Sequence, residues 1–312
     1  MAGGVLMKKI SIKIKRGGRL GTTNLVLTLM VLPAVLLLTV FHYFPLPGIV
    51  IAFAEYNIGG FRQWVGFENF EYIFGLKNFW RAFGNNWLYV LLNYVFIFPS
   101  SIILAVLFNE IRIRWYKKFV QTISTLPHFL SWAVVGGIWM LLLSPSNGYV
   151  NLIIEALGGE PIYFFANNTT FPLLYTVIAI WKSVGYNSII YLAALSGISS
   201  ELYEAAAIDG AGRWKQTLHI TIPGLKPTIL VMFVLSFASV LNLFEPLYVL
   251  SNAMVRQSAM VLDTYIFQSG IMQGHYDIST AMGLFKSTIS LVLVLASNFL
   301  SKRLTEDGQS IL

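Results

Sequence analysis

Residues 25–44 read LVLTLMVLPAVLLLTVFHYF, twenty consecutive positions without a charged side chain. The uncharged run around them extends from Leu20 to Ala54. A helix of about 20 mostly apolar residues is long enough to cross the roughly 30 Å of hydrocarbon in a bilayer. This stretch therefore predicts a membrane-spanning helix, which Pro45 and Pro47 are expected to end.

The composition extends this prediction to the whole chain. Of 312 residues, 56% are hydrophobic and 11% are charged, whereas a soluble domain has about 25% charged residues. The charged residues are too few to cover a water-soluble protein of this size, and 23 Phe, 15 Tyr and 8 Trp residues exclude disorder and a fibrous repeat. The absence of cysteine excludes disulfides, thiolate nucleophiles and cysteine-based metal sites. The sequence is that of an integral membrane protein.

Five further apolar segments predict membrane helices, so the expected fold class is an all-α integral membrane protein with six spans. These segments are residues 87–108, 122–143, 171–195, 228–250 and 278–300. The last three carry one charged residue each, namely Lys182, Glu245 and Lys286. Pro145 and Gly148 provide the stop signal after the third span.

The loops between the predicted spans differ in basic residues. With the N-terminus in the cytoplasm, 15 of the 21 Lys and Arg residues lie on the cytoplasmic side and four lie outside. Because cytoplasmic loops concentrate positive charge, both termini are predicted to be cytoplasmic. The net charge of +7 is thus assigned to topology, and no nucleic-acid partner is expected. The first span is too long for a secretory signal and is expected to remain uncleaved.

The first outer loop, residues 48–84, is rich in aromatic side chains. They are Phe53, Tyr56, Phe61, Trp64, Phe67, Phe70, Tyr72, Phe74, Phe79 and Trp80. Aromatic rings favour the membrane–water interface, which predicts a helix lying on the outer leaflet. The alternative interpretation is a docking surface for an external partner.

The inner loop at residues 196–226 is longer than a tight connection between two helices requires. Its helix signals are a capping Ser199 or Ser200, then Glu201 and Glu204, then Ala205, Ala206 and Ala207, and finally Gly210 and Gly212. These features predict a cytoplasmic helix of about nine residues. Pro223 is expected to bend the returning chain, and Pro227 to lie in the first turn of the fifth span. The helix alone leaves docking into another protein and lying on the inner leaflet as alternatives.

The order of residues in this loop resembles the EAA loop of ATP-binding-cassette (ABC) importer permeases. The matching positions are Glu204-Ala205-Ala206-x-x-Asp209-Gly210-Ala211 and Ile220-x-Ile222-Pro223. Three other stretches look like the carbohydrate branch of that family. The first, Trp64-Val65-Gly66-Phe67-Glu68-Asn69-Phe70, resembles carbohydrate permeases in general. The other two, Trp181-Lys182-x-x-Gly185-Tyr186 and Leu202-Tyr203-Glu204-Ala205-Ala206, resemble the permeases that import oligosaccharides and polysaccharide fragments.

The resemblance implies a type I importer permease in the bacterial cytoplasmic (inner) membrane. Its expected partners are a second, similar but non-identical permease, two ATPase subunits and an extracytoplasmic solute-binding protein, with a permease homodimer as the alternative to the heterodimer. Carried over by position, the ATPase-coupling residues are Glu204, Ala205, Ala206, Asp209, Gly210, Ala211, Arg213 and Pro223. The expected organisation is a basic cytoplasmic tail at 1–22, a permease domain at 23–300 and a C-terminal tail at 301–312.

Motifs for chemistry on this chain itself are missing from the sequence. It contains no G-x-x-x-x-G-K-[ST] phosphate loop and no H-E-x-x-H motif, and its four histidines lie on separate segments. ATP and Mg²⁺ are therefore expected on the partner ATPases, with no cofactor, metal or catalytic residue on this chain.

Charged and aromatic residues within the spans suggest where a solute passes, because charges inside a bilayer are usually functional or paired. The candidate path residues are Lys182, Tyr186, Asn187, Tyr191, Asn242 and Glu245. Aromatic faces beside hydrogen-bonding groups suit a sugar, although Lys182 and Glu245 could instead extend to an interface. A secondary, ion-coupled transporter is the alternative function, but it would need a relay of intramembrane acids or histidines, for which Glu245 is the one candidate.

Overall fold

A computed structural model describes residues 20–237 and 239–304. Most of the two predicted tails, 1–22 and 301–312, lies outside this range, and residues 20–22 and 301–304 continue helices. The chain divides into two compact units, residues 1–50 and 51–312.

The first unit contains the predicted first span. Helix α1, Leu20–Leu38, continues into a wide helical turn at Thr39–Tyr43, and a 3₁₀ helix follows at Leu46–Phe53. Together they form an apolar helix, Leu25–Phe53, that is long enough to cross a membrane. Pro45 and Pro47 therefore do not end the helix, because proline fits the first turn of a helical segment, where no N–H partner is needed.

The second unit consists mostly of helices. They are α2 Glu68–Gly75, α3 Lys77–Leu92, α4 Phe98–Glu110, α5 Arg114–Thr125, α6 Trp132–Leu142, α7 Tyr149–Ala156, α8 Phe171–Leu195, α9 Ser200–Ile208, α10 Arg213–Gln216, α11 Ile222–Phe237, α12 Phe244–Leu250, α13 Arg256–Ala259, α14 Leu262–Phe267 and α15 Tyr276–Leu304. Wide π-type turns join α3 to α4 and α10 to α11. The all-helical membrane fold is thus confirmed, with one small β-hairpin added.

Among the described residues of the second unit, four continuous apolar helices are long enough to cross a membrane. They are Lys77–Glu110, Phe171–Leu195, Arg213–Phe237 and Tyr276–Phe299. With the first span they make five, and a sixth is reached if the pair Arg114–Phe129 and Trp132–Leu142, bent by 106°, counts as one span. The predicted number of six agrees with this arrangement, and the fourth span has the predicted bounds.

The third and fifth predicted spans have different bounds in the structure. The predicted span at 122–143 is broken, because Leu130 and Ser131 separate a 3₁₀ turn from α6. The predicted span at 228–250 begins too late in the chain, because the long helix covers Arg213–Phe237. Helix α12, Phe244–Leu250, is a separate short helix after it. Each apolar run continues across its break, so hydrophobicity alone could not locate either one.

The first outer loop is not a single helix on the membrane surface. Strands β1 (Ala54–Asn57) and β2 (Gly60–Trp64) form an antiparallel hairpin whose turn ends at Gly60, with φ of +96°. Its aromatic residues separate into two groups, since Phe79 is buried in a core cluster while Phe61 and Trp64 on the hairpin are exposed. Helix α2 lies in this loop beside the hairpin, so the helix on the outer leaflet and the docking surface both stay predictions.

Helix α8 lies at the centre of the second unit and packs against α4, α5 and α11. The largest core cluster surrounds it and includes Tyr89, Val135, Ile178, Leu247 and Leu250. Gly185 of α8 crosses the backbone of Ser124 so closely that a Cβ atom there would overlap the Ser124 carbonyl. This packing brings the ends of α6 and α12 together beside α8.

Candidate functional site

The inner loop contains a short helix with a defined beginning. Helix α9 has nine residues, Ser200–Ile208, and the Ser199 hydroxyl accepts a hydrogen bond from the Glu201 N–H at 3.3 Å. Serine at this position pairs an N–H group that the helix leaves free, and Glu201 in the first turn interacts favourably with the helix dipole. The predicted length and cap are both confirmed.

Gly210 ends this helix in the left-handed conformation, with φ of +76°. Its N–H donates to the carbonyl of Ala207 at 3.1 Å, and the Ala211 N–H donates to the carbonyl of Ala206 at 2.8 Å. This pair of bonds defines the Schellman motif, which favours glycine because other side chains are strained at positive φ. Gly210 therefore ends the helix, as its place in the sequence predicts.

The two sides of α9 have different surroundings. Tyr203 and Ala206 face the rest of the chain, and the Tyr203 hydroxyl lies 3.0 Å from Oγ1 of Thr221. The rest of the helix surface is uncovered and includes two large apolar side chains, Leu202 exposed by 53% and Ile208 by 88%. Among the predicted coupling residues, Ala206 and Ala211 are half-buried, while the exposed ones are Glu204, Ala205, Asp209, Gly210, Arg213 and Pro223.

The chain returns to the membrane earlier than the sequence predicts. Arg213 begins a helix that continues to Phe237, so Pro223 does not bend a loop and Pro227 lies inside a helix. The wide turn at Thr217–Thr221 precedes Pro223, and wide turns of this kind accommodate the loss of regular helix bonding around proline. Arg213 also lies 3.6 Å from Glu110 at the end of α4.

A polar cavity of about 670 Å³ lies beside α8, where the first residue of α6 and the start of α12 approach it. Its lining consists of Asn93, Ile97, Trp132, Tyr175, Ala179, Ser183, Asn187, Asn242, Leu243, Phe244, Glu245, Pro246 and Asp263. A second cavity of about 350 Å³ shares Asn93, Tyr175 and Asn187 with it and extends to Tyr191 and Ser236. Both cavities combine aromatic faces with amide and hydroxyl groups.

Four of the six predicted path residues line these cavities. Asn187, Asn242 and Glu245 face the larger cavity, and Tyr191 faces the smaller one. Within the described part of the chain, the side chains of Asn187 and Glu245 form no hydrogen bond, and the same holds for Asn93. These groups are free to bind a solute. Tyr186 lies elsewhere, with its ring stacked on His128 at a centroid distance of 3.8 Å.

Lys182 is buried and does not line either cavity. Its ammonium group donates to the carbonyls of Pro127, His128 and Leu130 at 3.4, 2.9 and 2.6 Å. All three carbonyls lie at the break before α6, where regular helix bonding ends, and that of Pro127 also accepts the Leu130 N–H at 3.2 Å. The side chain of Lys182 is therefore engaged with the backbone, and it does not extend to an interface.

The second intramembrane lysine is also paired. Lys286 of α15 forms an ion pair with Asp263, and it donates to Oδ1 of Asn242 at 2.9 Å. Asp263 in turn accepts a hydrogen bond from the Leu243 N–H at 3.0 Å. Lys286 is thus a paired charge, one of the two roles expected for charges inside a bilayer. Its partner Asp263 lies between the predicted fifth and sixth spans, in a segment that the sequence places in an outer loop.

Sequence reasoning missed several residues of the larger cavity, among them Asn93, Trp132, Tyr175 and Asp263. Asn93 carried a usable signal, because a polar side chain within an uncharged apolar run is often functional. Trp132 and Asp263 carried none, since their positions depend on breaks that distant residues determine. In the part of the chain that the structure describes, no group of three His, Asp or Glu side chains could hold a metal ion.

Comparisons with known proteins agree with this geometry. A family model described as binding-protein-dependent transport system inner membrane component matches residues 97–306. The polygalacturonan/rhamnogalacturonan transport system permease protein YteP of Bacillus subtilis is 41% identical over 288 residues, which cover 90% of this chain and 89% of the relative. An arabinooligosaccharides transport system permease protein, AraP of the same organism, is 29% identical and covers 88% of each chain.

Solved structures give the same result. A chain of a bacterial ABC transporter involved in the import of the acidic polysaccharide alginate superposes with a TM-score of 0.85 and 37% identity, over 91% of this chain and 97% of that one. The alginate transporter in complex with an alginate pentasaccharide-bound periplasmic protein gives a TM-score of 0.84 at 37% identity, over 91% and 96% of the two chains. The importer permease fold is confirmed, and the alternative of an ion-coupled transporter gains no support.

Proposed function

The chain belongs to the family of binding-protein-dependent transport system inner membrane components, and from this membership we propose how it works within an ABC importer. This multi-pass permease subunit pairs with a second, non-identical permease to form the solute path. Two ATPase subunits bind from the cytoplasm, and an extracytoplasmic binding protein delivers the solute. The complex lies in the bacterial inner membrane with both termini of this chain in the cytoplasm.

In this proposal the chain moves solute and is not an enzyme. ATP and Mg²⁺ bind to the partner ATPases, because the sequence contains no phosphate-binding loop of the G-x-x-x-x-G-K-[ST] type. The exposed apolar side chains of the outer hairpin, among them Ile58, Phe61 and Trp64, offer a surface for the binding protein. This assignment is supported by their position on the side opposite α9 in the predicted topology.

The solute class is a carbohydrate, namely an oligosaccharide or polysaccharide fragment. Sugars present apolar C–H faces and hydroxyl edges, and the larger cavity offers both kinds of partner. Trp132 and Tyr175 supply aromatic faces, while Asn93, Asn187 and Glu245 supply free hydrogen-bonding groups. Two of the relatives, a polygalacturonan/rhamnogalacturonan transport system permease and an arabinooligosaccharides transport system permease, support the same class.

The single observation that carries the coupling proposal is the uncovered surface of α9. A nine-residue helix capped at Ser199 and Gly210 exposes the apolar side chains of Leu202 and Ile208. Burial of two such side chains in a protein cleft contributes about 1.5–3 kcal/mol each. The carboxylates of Glu204 and Asp209, exposed on the same helix, would fix the register of the ATPase.

Contacts at both sides of α9 connect it to the cavity. Tyr203 of α9 contacts Thr221, which lies just before α11. Arg213, the first residue of α10, forms an ion pair with Glu110 of α4. Helices α4 and α11 both contribute lining to the smaller cavity. Closure of the ATPases on ATP would therefore move α9 together with these two helices and switch the cavity between inward-facing and outward-facing states.

Docking on α9 can be tested with a charge in place of its most exposed apolar side chain, Ile208. Ile208→Asp should leave the permease at its normal level in the membrane and reduce both ATPase retention and ATP-driven uptake. Leu157→Asp is the matched control, because Leu157 is exposed by 83% and lies in a predicted outer loop. Equal ATPase retention by the two variants would contradict the assignment of α9 as the docking helix.

The solute class can be tested in proteoliposomes that contain both permeases, the ATPases and the binding protein. Uptake is measured for fragments of polygalacturonan, alginate and arabinan, and for a dipeptide as a non-carbohydrate control. At least one oligosaccharide should enter in an ATP-dependent manner, and Asn187→Ala should weaken its uptake without loss of assembled complex. Uptake of the dipeptide alone would refute the carbohydrate assignment.

A further inference from the structure

Two breaks in membrane helices meet at the larger cavity. The first break, residues 130–131, lies directly before Trp132, and the second, residues 239–243, lies directly before Phe244. Trp132, Asn242, Leu243 and Phe244 all line this one cavity. The shape of the cavity therefore depends on how the two interrupted segments are fixed.

A break in a membrane helix leaves backbone groups without their helical partners. Unpaired N–H and C=O groups are costly in a bilayer, and interrupted helices persist where other groups bind them. In this chain the groups that do so come from distant parts of the sequence. Each break is contacted by one lysine from a neighbouring long helix.

The first break is fixed by Lys182 of α8. An ammonium group has three N–H donors, and Lys182 contacts three carbonyls, those of Pro127, His128 and Leu130. Its Nζ atom also lies 5.5 Å from the centre of the Trp132 ring, within the range of a cation–π interaction. All donors of Lys182 are used, so it has none left for a solute.

The second break is fixed by Lys286 of α15. Its ammonium group binds the Asn242 side chain and the carboxylate of Asp263. That carboxylate accepts a hydrogen bond from the Leu243 N–H, so one ion pair joins α14 and α15 to the interrupted segment. Both charges are largely covered, with side-chain exposures of 13% for Lys286 and 16% for Asp263.

We infer that Lys182 and Lys286 are positioning residues for transport. Each stabilises the backbone at one helix break, so that the cavity keeps its shape. Neither side chain lines the cavity; Lys182 acts through Trp132, and Lys286 acts through Asn242 and Leu243. The structural part of this inference concerns backbone geometry alone. The functional part rests on the proposal that a carbohydrate occupies the cavity.

The first break can be tested by distance measurement in the assembled permease. The chain has no cysteine, so spin labels at Ile123→Cys and Leu141→Cys, both at exposed positions on either side of the break, need no background removal. Lys182→Met should broaden the distribution of distances between the labels. Lys182→Arg, which retains charge and donors, should restore a narrow distribution, and Lys118→Met is the control at an exposed position on α5.

The second break requires a charge-balanced comparison. Lys286→Met alone leaves the buried Asp263 carboxylate unpaired and should lower the amount of assembled complex. The double variant Lys286→Met/Asp263→Asn removes both charges and should restore assembly. Because Asp263 also lines the cavity, the double variant is compared with Asp263→Asn alone. If Lys286 only balances charge, the double variant will transport at least as well as Asp263→Asn; if Lys286 positions the break, the double variant will transport less well.

The functional readout is the ratio of ATP hydrolysis with solute-loaded binding protein to that with unloaded binding protein. The probe is a polygalacturonan trisaccharide, or the oligosaccharide that the wild-type complex takes up if it rejects this one. The ratio should fall about fivefold in Lys182→Met and in the double variant, the effect of about one misplaced hydrogen bond. A merely structural loss of complex would lower both rates and leave their ratio unchanged.

The outcomes separate this inference from the proposed function. A wild-type distance distribution and a wild-type ratio in Lys182→Met would overturn the role of Lys182. A wild-type ratio in the double variant would overturn the role of Lys286.

If no oligosaccharide is transported by the wild type, the proposed solute class fails. The distance measurement on the unliganded permease still decides in that case whether Lys182 fixes the break. If Lys182→Met does not assemble, Lys182→Gln replaces it, since it retains amide donors without the charge.

Discussion

Replacing Gly210 with valine should detach the ATPases from the permease while leaving the membrane fold intact. Gly210 has φ of +76°, and a Cβ atom placed there would meet no other atom within 4 Å. The substitution therefore causes no clash, and its whole cost is backbone strain. For an L-residue other than glycine, the left-handed conformation costs about 1–2 kcal/mol, and a β-branched side chain is among the least tolerant.

The helix can relieve this strain only by unwinding its last turn. Unwinding breaks the bonds from Gly210 N–H to Ala207 and from Ala211 N–H to Ala206, each worth about 1 kcal/mol. Both routes therefore cost about 1–2 kcal/mol, which corresponds to a factor of about 5–30 in the ratio of correctly folded to unwound loop. The apparent affinity of the permease for its ATPases should fall by up to the same factor.

The assay is a titration of purified permease pairs with ATPase subunits, followed by uptake in proteoliposomes. Gly210→Asn is the conformational control, because asparagine tolerates positive φ, and its affinity should lie near the wild type. Gly212→Val is the positional control, since Gly212 is extended, with φ of −68° and ψ of 164°, and has free space around it. Wild-type ATPase affinity and uptake in Gly210→Val would refute the reasoning.

Two further predictions concern packing and topology. Gly185→Ala should abolish accumulation of the permease in the membrane, because the added methyl group overlaps the backbone of Ser124. Gly137→Ala is the control and should accumulate normally, since its new Cβ atom has no neighbour within 4 Å. Immunoblots of membrane fractions measure both variants, and equal levels would contradict the close crossing of α8 and Ser124. A single cysteine at Asn147 should react with an impermeant thiol reagent in intact cells, while one at Ser200 should react only after permeabilisation, and the reverse pattern would contradict the six-span orientation.

The sequence predicts those parts of the structure that depend on local signals. The span at 171–195 is mostly apolar and has its predicted bounds. The helix before Gly210 has its predicted length because serine, acidic residues, alanine and glycine occur there in the order of a capped helix. Both features follow from side chains within a few residues of the element that they define.

The helix breaks depend on distant residues and were not predictable from local pattern. Lys182 binds carbonyls 52–55 positions earlier in the chain, and Asp263 binds the N–H of Leu243, 20 positions earlier. The apolar runs at 122–143 and 228–250 continue through these breaks, so a search for hydrophobic segments joins what the tertiary contacts separate. The same contacts bring Trp132 and Asp263 to the cavity, which is why the sequence did not identify them.

As a permease subunit, this chain should transport an oligosaccharide only when the second permease, the ATPases and the binding protein are all present. The most direct measurement is accumulation of a labelled oligosaccharide in proteoliposomes containing both permeases, the ATPases, internal ATP and the external binding protein. Accumulation should require all four components and should stop when ATP is replaced by a non-hydrolysable analogue. Accumulation driven by a proton or sodium gradient in vesicles without the ATPases or the binding protein would contradict the account.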